Sequence, residues 1–407
     1  MGAPSDNNLP ITGSGGFRFA SINTISWLLV LLLASVFVVP MPFDALLGLP
    51  LVAAVCMLSE GQSVRRSLLR DHVFWLGVVL VLYMACSTFW STGANVRGIG
   101  QVWLRASGDV AFFVALALVL SHRAGFLSVL SRIVVAGAAI GIVAALVLYV
   151  IEPPSDGRLE GLFRLANPGR AGRTWCVVLP FSLTLILRER GSWGSFGVLT
   201  TALLLVAILL SGTRSAWIAV VICLLVYGVA LAQPQWRRFS LWFCAGLALC
   251  SAAAWLVLQD PSSQASLLPR GDSYRLGIWA ATATDLFASK PWYGWGQLSE
   301  HWTRVGDQNF RGAHNLYLSV MWQGGIAGLL LLFAMVAAVA LRLVGHLQHI
   351  EARIGLTLLL MGCTVFFFSG DRLIDKVNII YFVFWAPVGI ALALRLQDDS
   401  HLKTPRR

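Results

Sequence analysis

Arg214 lies in a short polar segment, residues 211–217, between two apolar stretches of the chain. A charged side chain at the edge of a membrane span costs free energy, so such a residue suggests a function. Backbone N–H groups at the start of the following helix would help the guanidinium to hold a phosphate. The alternative is a structural arginine that extends from a tight turn towards the membrane surface. We predict a phosphate-binding role for Arg214.

His314 opens a later apolar stretch, and its imidazole could act as a general base near neutral pH. Asn315 could cap the helix that follows or orient a ligand. Gly324, Gly325 and Gly328 would let a neighbouring helix pack closely. A single histidine at such a boundary is more often structural, but His314 ends the longest polar segment of the chain. We therefore predict that it accepts a proton.

Other polar and aromatic residues could bind further parts of a substrate. Arg275 is predicted to stabilise the same phosphate as Arg214. The aromatic run at 291–296 could stack on sugar rings or anchor in the membrane interface. Arg164 and Arg173 could attract a polyanion, but a solvated charged loop is the favoured interpretation for these two. The predicted substrate-binding residues are Arg170, Arg311, Asn315, Tyr274 and Trp295.

Residues 371–376 carry charges of both signs, which favours a surface salt-bridge cluster over a binding site. No cluster of carboxylates stands beside a histidine in the sequence, so a divalent-metal site is not predicted. The glycine-rich motifs that bind nucleotides are also missing from the sequence. We predict no metal, no cofactor and no nucleic-acid partner.

The elements that position these residues are predicted to be membrane-spanning helices. Apolar residues make up 57% of the 407 residues and charged residues only 12%, and a water-soluble fold cannot bury that much apolar surface. This excludes a water-soluble enzyme and predicts an all-α polytopic membrane protein, with a single transmembrane domain over residues 1–407. Because a span needs about 20 apolar residues, we predict twelve. They are 22–39, 43–58, 73–90, 107–121, 133–151, 174–188, 195–211, 215–232, 240–258, 314–341, 354–369 and 378–395.

Short arginine-rich loops assign one face of the membrane, with both termini, to the cytoplasm. Residues 152–173 and 259–313 lie on the other face, which is the periplasm in a Gram-negative cell. The second segment, between spans 9 and 10, has 55 residues and forms one large periplasmic loop that carries part of the active site. Apolar residues at helical spacing over 274–286 predict a helix in this loop, with Asp272 or Ser273 as its cap.

Several of these motifs occur together in one order along the chain. They are Gly212-Thr213-Arg214, Arg275 ahead of Trp279, the run 291–296, and His314-Asn315-Leu316 followed by Gly324 to Gly328. Over residues 160–330 the sequence resembles the O-antigen ligase/polymerase superfamily of bacterial membrane glycosyltransferases. The segment 161–168 resembles a further motif of this superfamily that lies upstream of the others.

The resemblance implies the type-C glycosyltransferase architecture and an inverting transfer without metal, at the periplasmic face of the inner membrane. The donor would be a glycan on undecaprenyl pyrophosphate in the lipid bilayer, and the acceptor a sugar of lipid A-core. Twelve spans and one dominant loop favour an O-antigen ligase. The 152–173 loop keeps an O-antigen or exopolysaccharide polymerase open. A lipid-linked glycan flippase or exporter is the non-enzymatic alternative. It would need the arginines to bind pyrophosphate, but it would need no general base.

The chemistry of glycosyl transfer agrees with the residues that the sequence offers. Cleavage of a sugar–pyrophosphate bond develops negative charge on the leaving group, which fixed guanidinium groups can stabilise. Arg214, Arg275 and Arg170 would serve this role. The acceptor hydroxyl needs a base on the opposite face of the sugar, and the resemblance gives this role to His314.

Overall fold

The computed structural model describes residues 15–38, 62–123, 125–231, 274–370 and 372–402. This part of the chain is mostly helical, with one short β-hairpin. Its helices are α1 (Gly15–Val38), α2 (Gln62–Leu69), α3 (His72–Cys86), α4 (Val96–His122), α5 (Phe126–Ile151), α6 (Pro168–Cys176), α7 (Leu179–Arg188), α8 (Ser192–Leu210), α9 (Arg214–Leu231), α10 (Arg275–Ser289), α11 (Leu316–Gly345), α12 (Ile350–Phe367) and α13 (Ala386–Leu402). The strands are β1 (Trp302–Val305) and β2 (Gln308–Arg311).

Six of the described helices are long and apolar enough to cross a membrane: α3 with the 3₁₀ turn after it, α4, α5, α8, α11 and α12. Two shorter apolar helices cover Ile22–Ala34 and Arg214–Tyr227. A helix satisfies its own backbone hydrogen bonds, which a lipid surrounding requires. The prediction of a mostly helical polytopic membrane protein is confirmed. Predicted spans 43–58 and 240–258 lie outside the described residues, so the total of twelve stays a prediction.

Glycines allow the apolar helices to approach one another closely. A Cβ atom built on Gly389 of α13 would lie 2.9 Å from the carbonyl oxygen of Phe113 in α4. A Cβ atom built on Gly141 of α5 would likewise lie 2.9 Å from the carbonyl oxygen of Phe37 in α1. The rings of Phe113 and Trp385, just before α13, have centroids 6.2 Å apart. Such close contacts stabilise helix pairs in lipid, where apolar burial between helices adds little.

The predicted span at 174–188 corresponds to two helices, α6 and α7. Pro180 lies in the first turn of α7, and in a continuous helix its ring would clash with the carbonyl of Cys176. The chain therefore breaks between the two helices. At the start of α6, the Asn167 side chain accepts a hydrogen bond from the backbone N–H of Arg170 (3.0 Å) and caps the helix.

α11 is interrupted at Gly325, whose φ of 65° is left-handed. The backbone of residues 291–296 inserts at this point and pairs with groups on both sides of the interruption. Its hydrogen bonds run from Trp295 N to Trp322 O (2.6 Å), from Gly296 N to Gln323 O (2.9 Å), from Ile326 N to Pro291 O (2.8 Å) and from Ala327 N to Trp292 O (3.2 Å). Irregular backbone at membrane depth is tolerated only where protein groups satisfy it in this way.

The glycines of α11 have two different roles. Gly324 and Gly328 lie against the Tyr83 ring and the Met84 sulfur of α3, and the Tyr83 hydroxyl donates to the Gly324 carbonyl (2.7 Å). These two glycines allow close helix packing, as the sequence predicted. Gly325 instead makes room for the backbone of a loop, which the spacing of the glycines did not indicate.

We expect Gly325→Ala to destabilise the protein, because alanine disfavours a left-handed backbone and its methyl would lie 2.2 Å from the carbonyl carbon of Trp292. Backbone strain alone costs about 1–3 kcal/mol, which should lower the midpoint of thermal unfolding of the purified protein. Gly100→Ala in α4 is the matched control, since nothing lies within 4 Å of a Cβ atom there. Equal stability of Gly325→Ala and wild type would contradict this packing.

α10 confirms the predicted helix in the segment before His314. It buries Ile278 and Leu286, two of the residues whose spacing predicted it. The residue before the helix, Tyr274, has a left-handed φ of 61° and makes no side-chain cap. Asp272 and Ser273, the predicted caps, lie outside the described residues.

The hairpin of β1 and β2 was not predicted. Val305 pairs with Gln308 across a two-residue turn, in which Gly306 has a φ of 60°. Glycine followed by aspartate between two strand-forming runs is a typical pattern for such a turn. The Gly306-Asp307 pair would therefore have predicted the hairpin from the sequence.

Candidate active site

A cavity of about 730 Å³ lies between α6, the first half of α11 and residues 372–380. Six of its lining side chains are cationic and two are anionic. The cations are Arg164, Arg170, Arg173, Arg311, Arg372 and Lys376, and the anions are Glu300 and Asp375. Such an excess of positive charge attracts anions, and guanidinium groups bind phosphate oxygens in pairs.

Three arginines on and before α6 form one side of the cavity. Arg170 and Arg173 lie three residues apart on α6, and a spacing of three places helical side chains on one face. The Arg170 guanidinium donates to the Arg164 carbonyl (2.9 Å), and the Arg164 guanidinium donates to the Val377 carbonyl (3.0 Å). Arg170 thus borders the cavity, as do Arg164 and Arg173, for which the sequence favoured a solvated loop.

The segment after α12 contributes Arg372, Asp375 and Lys376 to the cavity. The Asp375 carboxylate accepts a hydrogen bond from the side-chain amide of Asn378 (2.9 Å). Among the residues that the structure describes, no ion pair joins Asp375 to Arg372 or Lys376. The predicted surface salt-bridge cluster thus has no ion pair among these three described residues, while its fourth member, Asp371, lies outside the described part of the chain.

His301 also lines the cavity and was missed in the sequence. Its side chain is buried, and its Nε2 atom lies 2.9 Å from the hydroxyl of Thr303 and 3.2 Å from that of Thr282. The imidazole stacks on Trp322, another cavity residue, with ring centroids 4.2 Å apart. No spacing pattern surrounds a lone histidine next to a short strand, so the sequence carried no indication of its position.

Trp295, predicted to bind substrate, packs against other side chains. Its ring stacks on Trp322 with centroids 5.7 Å apart, and the Lys290 ammonium lies 4.3 Å from its centroid. Such a contact between a cation and an aromatic face is attractive. Trp322, not Trp295, borders the cavity.

The three predicted catalytic residues do not line the cavity. Arg214 is exposed at the first position of α9, and Arg275 is half-buried at the first position of α10. His314 is exposed and has a left-handed φ of 50°, which is unusual for a residue other than glycine. Asn315 is buried, and its side chain accepts from Leu318 N–H (3.1 Å), so it caps α11.

The turn that precedes Arg214 packs directly against α6. The Thr213 hydroxyl donates to the carbonyl of Pro168, the first residue of α6 (3.0 Å). A Cβ atom on Gly172 of α6 would contact the Ser211 hydroxyl and lie 2.9 Å from the Cβ of Thr213, so the glycine allows the turn to pack closely on the helix. Arg214 is therefore attached, through its turn, to the helix that carries the cavity arginines.

The two residues before His314 connect the cavity wall to α10. Gly312 lines the cavity, and the carbonyl of Ala313 accepts a hydrogen bond from the Trp279 indole (3.1 Å). Trp279 lies one turn after Arg275 on α10. The structure thus brings the segments of Arg275 and His314 together beside the cavity wall, although neither side chain forms part of it.

The remaining predicted substrate-binding residues lie on the surface. Arg311 lines the cavity and pairs with Glu300 at 3.2 Å, but both side chains are more than 60% exposed, so water weakens this ion pair. Tyr274 is 47% exposed, does not line the cavity, and packs on Phe310 with ring centroids 5.4 Å apart. Arg311 is therefore at the cavity, whereas Tyr274 is not.

Comparisons with known proteins bear on the family of this chain. Residues 199–333 match the model of a protein family described as O-antigen ligase, and this range includes Arg214, Arg275 and His314. The chain is 24% identical to the O-antigen ligase of Pseudomonas aeruginosa PAO1 over 320 residues, which cover 78% of this chain and 76% of that protein. Both matches support the resemblance to O-antigen ligases that the ordered motifs of this polytopic membrane protein predict.

Proposed function

We propose that the protein is an O-antigen ligase that transfers a glycan from undecaprenyl pyrophosphate to a sugar of lipid A-core. The observation that carries this proposal is the cavity with six cationic side chains beside membrane-length helices. Such a position suits a donor with an anionic pyrophosphate and a lipid tail in the bilayer. The similarity to O-antigen ligases supports glycosyl transfer as the reaction class.

The proposed location of the cavity is the periplasmic face of the inner membrane. Ser319, near the start of α11, lines the cavity, and Arg342, near its end, pairs with Asp71 at 2.7 Å. The arginine-rich helix α2 directly precedes Asp71. At about 1.5 Å per residue, α11 separates the cavity from this arginine-rich end by roughly a membrane thickness. The positive-inside rule then supports a cytoplasmic position for the arginine-rich end.

The proposed organisation is a single transmembrane domain with the type-C glycosyltransferase architecture. Residues 259–313 would form a periplasmic loop, of which α10 and the hairpin are described. Arg311 and His301 on this loop line the cavity, which supports its participation in the active site.

In the proposed mechanism, an acceptor hydroxyl oxygen attacks the anomeric carbon of the donor sugar. The carbon–oxygen bond to the pyrophosphate breaks, and its electron pair stays on the phosphate oxygen. Arg170 and Arg173, with Arg214 and Arg275 at the adjoining segments, would stabilise this charge. Guanidinium groups are suited to this task because each can donate two parallel hydrogen bonds to phosphate oxygens.

His314 is the proposed base that takes the proton of the acceptor hydroxyl. It lies two residues after Gly312, a cavity residue, and it is exposed at the residue that precedes the cap of α11. Attack opposite the leaving group would invert the anomeric centre. His301 is the rival base, because it already lines the cavity.

A deletion strain separates the proposed function from its alternatives through its lipopolysaccharide gel pattern. Loss of a ligase should leave free lipid A-core together with polymerised glycan on undecaprenyl pyrophosphate. Loss of a polymerase would instead leave core that carries a single repeat. Loss of a flippase would leave single repeats on the lipid carrier at the cytoplasmic face. Either of the last two patterns would contradict the proposed ligase.

A further inference from the structure

The cavity holds more positive charge than its arginines on and before α6 provide. Arg164, Arg170 and Arg173 form that side, and Arg311 is paired with Glu300. Arg372 and Lys376 add two further cations from a separate segment, near the C-terminal end of the chain. A pyrophosphate that leaves a sugar gains one negative charge relative to the bound donor. A second group of cations would therefore match the charge that develops during transfer.

The segment that carries Arg372 and Lys376 is fixed by its neighbours. Leu373 and Ile374 are buried, and the Ile374 carbonyl accepts a hydrogen bond from the Gln297 side chain (3.2 Å). The burial of these intervening residues anchors the backbone while the two cationic side chains border the cavity. Anchored cations cost little reorganisation when a charge appears beside them.

Further hydrogen bonds connect this segment to the α6 side of the cavity. The Arg164 guanidinium donates to the Val377 carbonyl (3.0 Å). Asn378 donates to Asp375 (2.9 Å) and accepts from Ile380 N–H (2.8 Å), which closes a turn after Lys376. The two groups of cations are thus parts of one connected structure around the cavity.

Arg372 and Lys376 form no ion pair and no hydrogen bond with another residue of the described ranges. A cation that borders a cavity without a protein anion stays available to an anionic ligand. Of the two carboxylates in the described cavity wall, Asp375 accepts a hydrogen bond from Asn378 and Glu300 pairs with Arg311. Their chemistry suits phosphate: Arg372 offers a planar pair of donors and Lys376 a compact charge.

We propose that Arg372 and Lys376 bind the pyrophosphate as it leaves the donor sugar. This inference rests on the proposed ligase function. It adds to the binding site a segment, residues 371–376, whose mixed charges favoured a surface salt-bridge cluster in the sequence. The new bond joins the acceptor oxygen to the anomeric carbon, and the broken bond leaves its electron pair on the pyrophosphate. The acceptor proton goes to the base, so Arg372 and Lys376 transfer no proton and act only on the charge.

The test uses purified full-length protein in vesicles, with Arg372→Gln and Lys376→Gln compared with Arg304→Gln. Arg304 is the matched control because its side chain is 73% exposed on the hairpin and does not line the cavity. Each cavity variant should lose about tenfold to a hundredfold in kcat, the range for one charge-assisted hydrogen bond. Donor KM should change less, because the bound donor lacks the extra charge, which appears only as the sugar–oxygen bond breaks. Arg372→Lys should recover part of the loss.

Inorganic pyrophosphate provides a probe that does not depend on transfer. Both variants should need about tenfold more pyrophosphate than wild type for half-maximal binding, while Arg304→Gln should bind like wild type. Normal kcat and normal pyrophosphate binding in both folded variants would overturn the inference. A wild-type protein that binds pyrophosphate but transfers no glycan would instead overturn the proposed function, and weakened binding in the variants would still support the anion site. If one variant fails to fold, the other gives the same comparison.

Discussion

His314→Gln is expected to lower the rate of glycan transfer by about a hundredfold to ten-thousandfold, the usual cost of removing a general base. Glutamine can hydrogen-bond to an acceptor hydroxyl, but it cannot take a proton near neutral pH. Binding of the undecaprenyl-linked donor should persist in His314→Ala, because the cavity arginines hold the pyrophosphate. A reconstituted transfer assay and a donor-binding measurement on the same purified variants test both statements.

His301→Gln is the matched comparison, since it makes the same change in a histidine that borders the cavity. Its imidazole is held by Thr303 and stacks on Trp322, so we expect a smaller loss that reflects altered packing. Loss of turnover in His301→Gln with normal turnover in His314→Gln would assign the base to His301. Loss of donor binding in His314→Ala would place His314 on the pyrophosphate.

The helices were predictable because a run of about 20 apolar residues has few alternatives to a membrane span. Hydropathy does not report backbone conformation, so it predicted one continuous helix where α11 is interrupted at Gly325. The interruption depends on residues 291–296, which precede α11 in the chain and pair with it through backbone groups. A contact of this kind leaves no periodic pattern in the sequence.

The cavity was predictable only in part, because its wall combines distant segments. Arg170 and Arg311 were among the predicted substrate-binding residues and do line it. Arg372 and Lys376 were assigned to a salt-bridge cluster because two acidic residues, Asp371 and Asp375, lie nearby in the chain. In the folded protein Asp375 bonds to an amide instead, and Asp371 lies outside the described residues. For Asp375, charge balance along the sequence was a poor guide to which groups meet in space.

Arg170→Ala is expected to lower kcat by about a hundredfold to a thousandfold, the cost of removing one fixed donor that stabilises transition-state charge. Its guanidinium borders the cavity and is oriented by the Arg164 carbonyl at 2.9 Å, so it needs little reorganisation when the leaving group gains charge. Arg170→Lys should recover little activity, because an ammonium lacks the planar pair of donors. Initial rates with reconstituted protein and undecaprenyl-linked donor provide the measurement.

Arg214→Ala should cause a comparable loss, because the turn of Arg214 is bonded to the start of α6 through Thr213 and Pro168. Arg190→Ala, an exposed arginine in the short loop between α7 and α8, is the control and should keep wild-type rates. Normal rates in Arg214→Ala alone would confine leaving-group stabilisation to the arginines that line the cavity. Normal rates in both Arg170→Ala and Arg214→Ala, with the proteins folded and inserted, would show that guanidinium groups at these two positions do not stabilise the leaving pyrophosphate.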